Sequence, residues 1–169
     1  MNNPAGRNAA NYSCKLLIQL TLSALLYFAA AGSWRMSRGI VYFSVYLTIS
    51  LIGSAFLLRY NPETLSARDR IAPNTKGWDR VFLSLYVPLA YFGIYIAAGL
   101  QHRLGGAYLS DVFFWIGICM TVLASFLTVW SVHVNRHFES SVRIQQDHEH
   151  VVCSSGPYRI VRHPGYASI

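Results

Sequence analysis

Long uncharged apolar runs, separated by short polar stretches, dominate the chain. Four runs contain no Asp, Glu, Lys or Arg, and they cover residues 16–31, 40–58, 81–100 and 112–132. Apolar runs of about this length cross the hydrocarbon core of a bilayer as α-helices, because a helix satisfies its own backbone hydrogen bonds. The pattern therefore predicts an all-α membrane protein with about four transmembrane helices.

Two of these runs have features that bear on how they fold. Pro88 lies within the third run, where it removes a backbone donor. We expect it to kink the helix without ending it, because neighbouring helices can satisfy the freed carbonyl. The first run follows Arg7 and Lys15 and ends in a row of alanines. A cleaved signal peptide is therefore the alternative to a first span, and the topology downstream is the same in either case.

The longest polar connection divides the chain into three parts. An N-terminal transmembrane hairpin, 1–60, precedes the connector 61–80, and a second membrane domain follows over 81–169. Asn61-Pro62-Glu63 predicts the start of a short helix, since proline suits the first helical turn and an acid there complements the helix dipole. The composition of the connector favours an interfacial linker.

The positions of the charged residues predict how the chain is oriented in the membrane. Hydrophobic residues make up 53% of the chain and charged residues 12%, about half the usual share of charge. With four spans, 11 of the 14 Lys and Arg residues lie on the side of both termini, and Arg35, Arg38 and Arg103 lie on the other. Since cytoplasmic loops carry the excess of positive charge, both termini are predicted to be cytoplasmic. The net charge of +7 is then a topological signal, and no nucleic-acid partner is expected.

Histidines follow the fourth run in a pattern that has two interpretations. His133 and His137 stand four residues apart, and His148 and His150 follow. We expect the fourth helix to continue over 133–146, which places the first two on one face. Membrane desaturases and hydroxylases bind iron through pairs of histidines with this spacing. Those enzymes need several such pairs, and this chain has one. We therefore interpret these histidines as polar anchors at the membrane boundary, and we expect no metal.

The polar segment 156–166 concentrates arginine, histidine, tyrosine and proline. Pro157 and Pro164 fix two backbone angles, and each disfavours the helical conformation at its predecessor, Gly156 and His163 respectively. The spacing predicts a stiff loop at the cytoplasmic surface. Composition alone favours a basic anchor that touches lipid phosphates.

This segment resembles the GPYxxxRHPxY signature of the isoprenylcysteine carboxyl methyltransferase and phospholipid methyltransferase superfamily, in its bacterial form. The resemblance extends from about Asn61 onward, and it implies that 81–169 is the N-terminal part of a methyltransferase-like membrane domain, in a methyltransferase or a fragment of one. It implies a methyltransferase of the bacterial inner membrane that uses S-adenosylmethionine and a lipophilic acceptor, either a prenylcysteine-like carboxylate or a lipid amine. Carried over residue by residue, it implies that the cofactor is bound by Gln145, Gly156, Pro157, Tyr158, Arg162, His163, Pro164 and Tyr166.

The resemblance also implies what these side chains do. The ring of Tyr158 or Tyr166 favours a sulfonium by cation–π attraction of about 1 kcal/mol. Arg162 or His163 pairs with the methionyl carboxylate.

The chain departs from this family after the signature. Relatives continue through further membrane segments to a pair of acidic residues, whereas here the last acid is Glu149 and the sequence stops at Ile169. We therefore expect half of a site, no assignable catalytic residue and little methyl transfer by this chain alone. The alternatives are a non-catalytic membrane protein with the same scaffold and a sterol-reductase-like enzyme, against which the small number of spans argues.

Overall fold

The computed structural model describes residues 4–68, 77–135 and 153–168. All regular structure within these ranges is helical. Among the described residues, four helical segments are long and apolar enough to cross a membrane, namely Gly6–Ala31, Ser37–Tyr60, Ser84–Arg103 and Asp111–Val134. The predicted all-α membrane fold with four transmembrane helices is confirmed.

In chain order the helices are α1 (Pro4–Ala31), α2 (Ser37–Tyr60), α3 (Pro62–Ala67), α4 (Gly77–Pro88), a π-helical turn (Leu89–Gly93), α5 (Ile94–Arg103), α6 (Asp111–Val134), a 3-10 turn (Gly156–Arg159) and α7 (Pro164–Ala167). Short connections join α1 to α2 over residues 32–36 and α5 to α6 over residues 104–110. Helix α1 packs against α2, α3 and α5, and α2 packs against α6. We call the end of the bundle that holds α3, the C-terminus of α6 and residues 153–168 the signature end.

Helix α1 begins much earlier than the apolar run that predicted it. The run starts at Leu16, whereas the helix starts at Pro4. Charged residues interrupt an apolar run but not a helix, and here Arg7 and Lys15 are exposed on the helix surface. The buried face of this first part carries Ala9 and Ser13, which lie one turn apart.

The third span passes through Pro88 without ending. The helix changes there to a π-helical turn, in which the backbone N–H of Ile94 bonds to the carbonyl of Leu89. The hydroxyl of Ser23 in α1 donates to the carbonyl of Tyr91 at 2.7 Å. A π-turn is a common way to accommodate an interruption in a helix. The prediction that this helix continues past its proline is confirmed.

The fourth span ends at Val134, and this corrects one expectation. Asn135 has φ −102° and ψ 103°, which is extended backbone, so the helix does not continue unbroken over 133–146. The reason is tertiary, since the Asn135 side chain bonds to Tyr158. His137, His148 and His150 lie outside the described residues.

Small clusters of buried side chains hold the helices together. One contains Leu20, Phe28, Ala31, Met36 and Phe43, and another contains Ala9, Leu57, Leu65 and Val132. Most other large apolar side chains of the four spans are exposed on the outside of the bundle. Lipid is as apolar as these side chains, so their exposure costs nothing in a bilayer.

Arg38 links two helices at the end of the bundle opposite the signature end. Its guanidinium forms an ion pair with Asp111 at 2.6 Å and donates to the carbonyl of Leu109 at 2.8 Å. It also lies 5.5 Å from the ring centroid of Tyr108 and 5.6 Å from that of Phe114. One side chain thus ties the start of α2 to the start of α6.

We expect Arg38→Gln to lower the free energy of unfolding by about 1 kcal/mol, because exposed ion pairs and cation–π contacts each contribute a fraction of that amount. Asp111 is 80% exposed, which limits the effect. Thermal unfolding in detergent measures it, with Arg35→Gln as the control because Arg35 is exposed at the same end. Equal melting temperatures for the two variants would contradict the prediction.

Candidate functional site

The last turns of α6 form the platform on which the signature segment rests. Gly156 has φ +56°, and a Cβ atom there would lie 2.9 Å from Cγ2 of Val134 and 3.1 Å from Nε1 of Trp130. Only glycine combines a left-handed backbone with so close an approach. Pro157 is buried beside it.

The two prolines of the signature each begin a short helical turn. Pro157 opens the 3-10 turn Gly156–Arg159, and Pro164 opens α7. Their predecessors lie outside the right-handed helical region, with φ +56° at Gly156 and φ −131°, ψ 69° at His163. The predicted non-helical conformation of both predecessors is confirmed, and the segment contains two helical turns in place of a simple loop. Its stiffness stays a prediction.

A second anchor holds α7 to α6. Pro164 is fully buried, and the hydroxyl of Thr128 donates to that of Ser168 at 2.9 Å. The polar side chains of the signature behave differently, since Arg159, Arg162 and His163 are all exposed. Glycine and proline thus form the packed side of the segment, and cations form its open side.

The exposed face of the signature includes an aromatic pair. The rings of His163 and Tyr166 lie with centroids 5.7 Å apart and planes inclined by 42°. Tyr166 is 70% exposed. Together with Arg162, these side chains offer a cation, an imidazole and an aromatic surface on an open part of the molecule.

Tyr158 is half-buried, and its hydroxyl has a defined partner. Nδ2 of Asn135 donates to the phenol oxygen at 3.0 Å. Burial raises the pKa of Tyr158, while the Asn135 hydrogen bond and the charge of Arg68 act to lower that pKa. Burial is the larger effect, so the phenol stays protonated at neutral pH and can donate a hydrogen bond.

Sequence reasoning missed Asn135. It is the first residue after α6, and asparagine is common where a helix ends. Its position at the end of the helix could have drawn attention to Asn135, but no sequence pattern indicates that it pairs with Tyr158. The pairing is tertiary, because it joins two residues that are 23 positions apart in the chain.

The connector also reaches α6. Its helix α3 begins with Pro62 in the first turn and carries Glu63 beside it, so the predicted helix start is confirmed. Nδ2 of Asn61 donates to the carbonyl of His133 at 2.9 Å, and Thr64 donates to Oδ1 of Asn61 at 2.9 Å. The last carbonyls of a helix lack partners within it, and Asn61 supplies one here.

Arg68 is the second residue that sequence reasoning missed. It follows α3, is half-buried, and donates from Nε to the hydroxyl of Tyr12 at 3.0 Å. Its guanidinium carbon lies 5.6 Å from the centroid of the same ring. In the sequence it is one of several basic residues of the connector, and nothing distinguishes it from the others.

Two kinds of candidate residue remain. The resemblance implies that Gln145 binds the cofactor, and the histidines were considered as metal ligands. Gln145 lies outside the described residues, so its role stays a prediction. Within the part of the chain that the structure describes, no three His, Cys, Asp or Glu side chains come together as a metal site. His133 packs edge-on against Phe56 with ring centroids 5.1 Å apart.

The chemistry of the described side chains suits S-adenosylmethionine. The rings of Tyr158 and Tyr166 are the kind of surface that attracts a sulfonium, and Arg162 and His163 are the kind of group that pairs with a carboxylate. All four belong to one short segment that two buried prolines hold against α6. The residues present therefore fit the group that the signature implies.

A comparison with protein families agrees with the signature. Residues 115–169, which run from within α6 to the end of the signature, match the family model described as isoprenylcysteine carboxyl methyltransferase (ICMT) family. Comparisons with curated proteins and with solved structures give no match. The family prediction is confirmed over the matched residues.

Proposed function

We propose that this integral membrane protein is a methyltransferase that uses S-adenosylmethionine, or a fragment of one, because residues 115–169 match the family model of the isoprenylcysteine carboxyl methyltransferases. Its acceptor is a lipophilic molecule, such as a prenylcysteine-like carboxylate or a lipid amine. The observation that carries the proposal is the position of the signature, folded onto the end of the membrane-spanning helix α6. A water-soluble donor and a lipophilic acceptor can meet at such a boundary.

S-adenosylmethionine supplies a methyl group on a positively charged sulfur, and its transfer is an in-line displacement. The protein must therefore hold both partners in line and keep water away. Tyr158 and Tyr166 are the residues proposed to face the sulfonium, with a gain of about 1 kcal/mol. Arg162 and His163 are proposed to hold the carboxylate of the donor by charge-assisted hydrogen bonds.

We further propose that the signature end faces the cytoplasm. The described cations at that end include Arg7, Lys15, Arg59, Arg68 and Arg162, whereas Arg35, Arg38 and Arg103 lie at the opposite end. An excess of positive charge marks the cytoplasmic side of a membrane protein. This orientation puts the signature in the compartment from which S-adenosylmethionine is drawn, with both termini on the same side.

The direct test is binding of radiolabelled S-adenosylmethionine to the protein in lipid nanodiscs. We expect saturable binding, and we expect His163→Ala to weaken it about tenfold or more, because a lost charge-assisted hydrogen bond costs about 1.5–3 kcal/mol. His102→Ala, at the opposite end of the bundle, is the control and should bind as the unmodified protein does.

Two results would count against the proposal. Binding that survives His163→Ala unchanged would overturn the assignment of the site to the signature. An absence of saturable binding by the folded, unmodified protein would overturn the methyltransferase and favour a non-catalytic scaffold. Circular dichroism of each variant establishes that the helices are intact.

A further inference from the structure

Two large apolar side chains of the signature are exposed although they belong to no membrane-spanning helix. Ile160 is 81% exposed and Val161 is 43% exposed. The backbone that carries them is held in place, because the N–H groups of both residues donate to the carbonyl of Pro157 at 3.0 Å and Pro157 is buried. Their exposure is therefore a feature of the folded signature, and it costs free energy in water but not in lipid.

The contacts of the signature with α6 place it at the level of the membrane boundary. Near its start, Gly156 lies against Trp130 and Val134, and tryptophan near the end of a span is typical of the headgroup level. Just after its end, Ser168 accepts a hydrogen bond from Thr128. Thr128 lies six residues before Val134, which is about 9 Å along a helix axis.

The signature thus runs back along α6, toward the middle of the span. Ile160 and Val161 come between its two contact points with α6, one of which is at the end of the helix and the other about two turns deeper. This is the depth at which lipid headgroups give way to acyl chains. Exposed apolar side chains at this depth meet lipid.

The apolar pair stands between two cations. Arg159 precedes it and Arg162 follows it, and both side chains are exposed. The sequence from residue 153 to residue 169 contains no Asp or Glu, so no acid of this segment neutralises them. An arginine at the boundary can lay its apolar stem along acyl chains and keep its charged head among the headgroups. Its planar guanidinium suits a phosphate, to which it donates two parallel hydrogen bonds.

We propose that Arg159, Ile160 and Val161 form an interfacial strip that binds the bilayer at the signature end. The side chains of Ile160 and Val161 enter the edge of the acyl region, and the Arg159 guanidinium pairs with the phosphate of an anionic phospholipid. Apolar side chains combined with cations bind anionic membrane surfaces in the same way elsewhere. The strip contains none of the residues proposed to hold the methyl donor, so the inference does not depend on the proposed function.

A nitroxide label at residue 160 measures the depth of the strip. Ile160→Cys is labelled in a variant whose own cysteines, Cys14, Cys119 and Cys153, are replaced by serine. Electron paramagnetic resonance in nanodiscs of phosphatidylcholine and phosphatidylglycerol then compares collisions with oxygen, which concentrates among acyl chains, and with a water-soluble nickel complex.

Two further labelled positions provide the references for this measurement. Ile52→Cys reports lipid, because Ile52 is 65% exposed within the membrane-spanning helix α2. Ser154→Cys is the matched control, because Ser154 is exposed and polar and lies just before the signature. We expect the ratio of oxygen to nickel collisions at residue 160 to be several-fold higher than at residue 154 and to approach the ratio at residue 52.

Two results of the depth measurement would overturn the proposal. A ratio at residue 160 equal to that at residue 154 would show that the strip lies in water. A label that neither oxygen nor the nickel complex reaches would show that protein covers the strip, either a second copy or another part of the chain. Val161→Cys gives a second position for the same measurement if labelling at residue 160 disturbs the fold.

The pairing of Arg159 with phosphate is tested by changing the charge of the lipid. We expect the oxygen-to-nickel ratio at residue 160 to rise when phosphatidylglycerol replaces part of the phosphatidylcholine, because the anionic headgroup draws the strip inward. Arg159→Gln should lose this response, and Arg159→Lys should keep part of it, since lysine retains the charge without the planar donors.

Arg35→Gln is the control for the charge, because Arg35 is exposed at the opposite end of the bundle. It should respond to phosphatidylglycerol as the protein with all its arginines does. A response of Arg159→Gln equal to that of Arg35→Gln would overturn the pairing with phosphate. None of these measurements uses S-adenosylmethionine, so a failure of the strip leaves the proposed function to its own test.

Discussion

Replacing Gly99 with leucine will separate α1 from α5 and destabilise the bundle more than any other substitution considered for this protein. A Cβ atom at Gly99 would lie 2.4 Å from the carbonyl oxygen of Tyr27 and 3.0 Å from the backbone nitrogen of Ala31. Backbone atoms of a helix cannot move aside as a flexible side chain can. We expect a loss of about 3 kcal/mol in the free energy of unfolding, at the upper end of the usual cost of overpacking.

Gly117→Leu is the matched control for this substitution. Gly117 also lies within a membrane-spanning helix, but a Cβ atom there has no neighbour within 4 Å. Both variants lose a helical glycine, so they differ only in what the new side chain meets. Unfolding in detergent with increasing denaturant measures the difference, and similar stability for both would show that α1 and α5 do not approach as described.

Replacing Gly156 with alanine will move the 3-10 turn of the signature away from α6 while leaving the four spans in place. Alanine at φ +56° costs about 1–2 kcal/mol for the left-handed conformation alone. Its Cβ atom would also meet Val134 at 2.9 Å, so the 3-10 turn has to move. We expect binding of S-adenosylmethionine to weaken about tenfold or more, since Tyr158 lies in this turn.

Gly105→Ala is the matched control for this substitution. Gly105 has φ +73°, but a Cβ atom there has nothing within 4 Å, and it lies in the turn at the opposite end of the bundle. It carries the same conformational cost without the contact. The affinity for S-adenosylmethionine should stay unchanged in this variant, and a loss equal to that of Gly156→Ala would refute a specific role of the Gly156 position.

The bilayer explains why the spans could be predicted so closely. A membrane-crossing segment must be apolar over its whole length and must satisfy its own hydrogen bonds, so the requirement is local. Two further features are local in the same sense, namely the continuation of the third span past Pro88 and the start of α3 at Pro62. Proline mainly affects the helical turn in which it lies. The start of α1 at Pro4 was not predicted, since helix formation continues past the charged residues that end an apolar run.

The candidate site could be predicted only in part. Gly156 and the prolines Pro157 and Pro164 carry a signature that is readable in the chain, and their conformations follow from glycine and proline chemistry. Which side chains they pack against does not follow. The contact of Gly156 with Trp130 and Val134 depends on the return of the chain to α6, and no local pattern encodes that return.

By itself, then, the sequence determined the helical class, the four apolar spans, the backbone conformations at the signature glycine and prolines, and the family model that residues 115–169 match, because each depends on residues that are neighbours in the chain. The tertiary structure alone decided that Asn135 holds Tyr158, that Tyr12 holds Arg68, and that Gly99 lies against the backbone of α1. These pairings join segments that are distant in the chain. They arise from the packing of whole helices, which depends on the shapes of several surfaces at once.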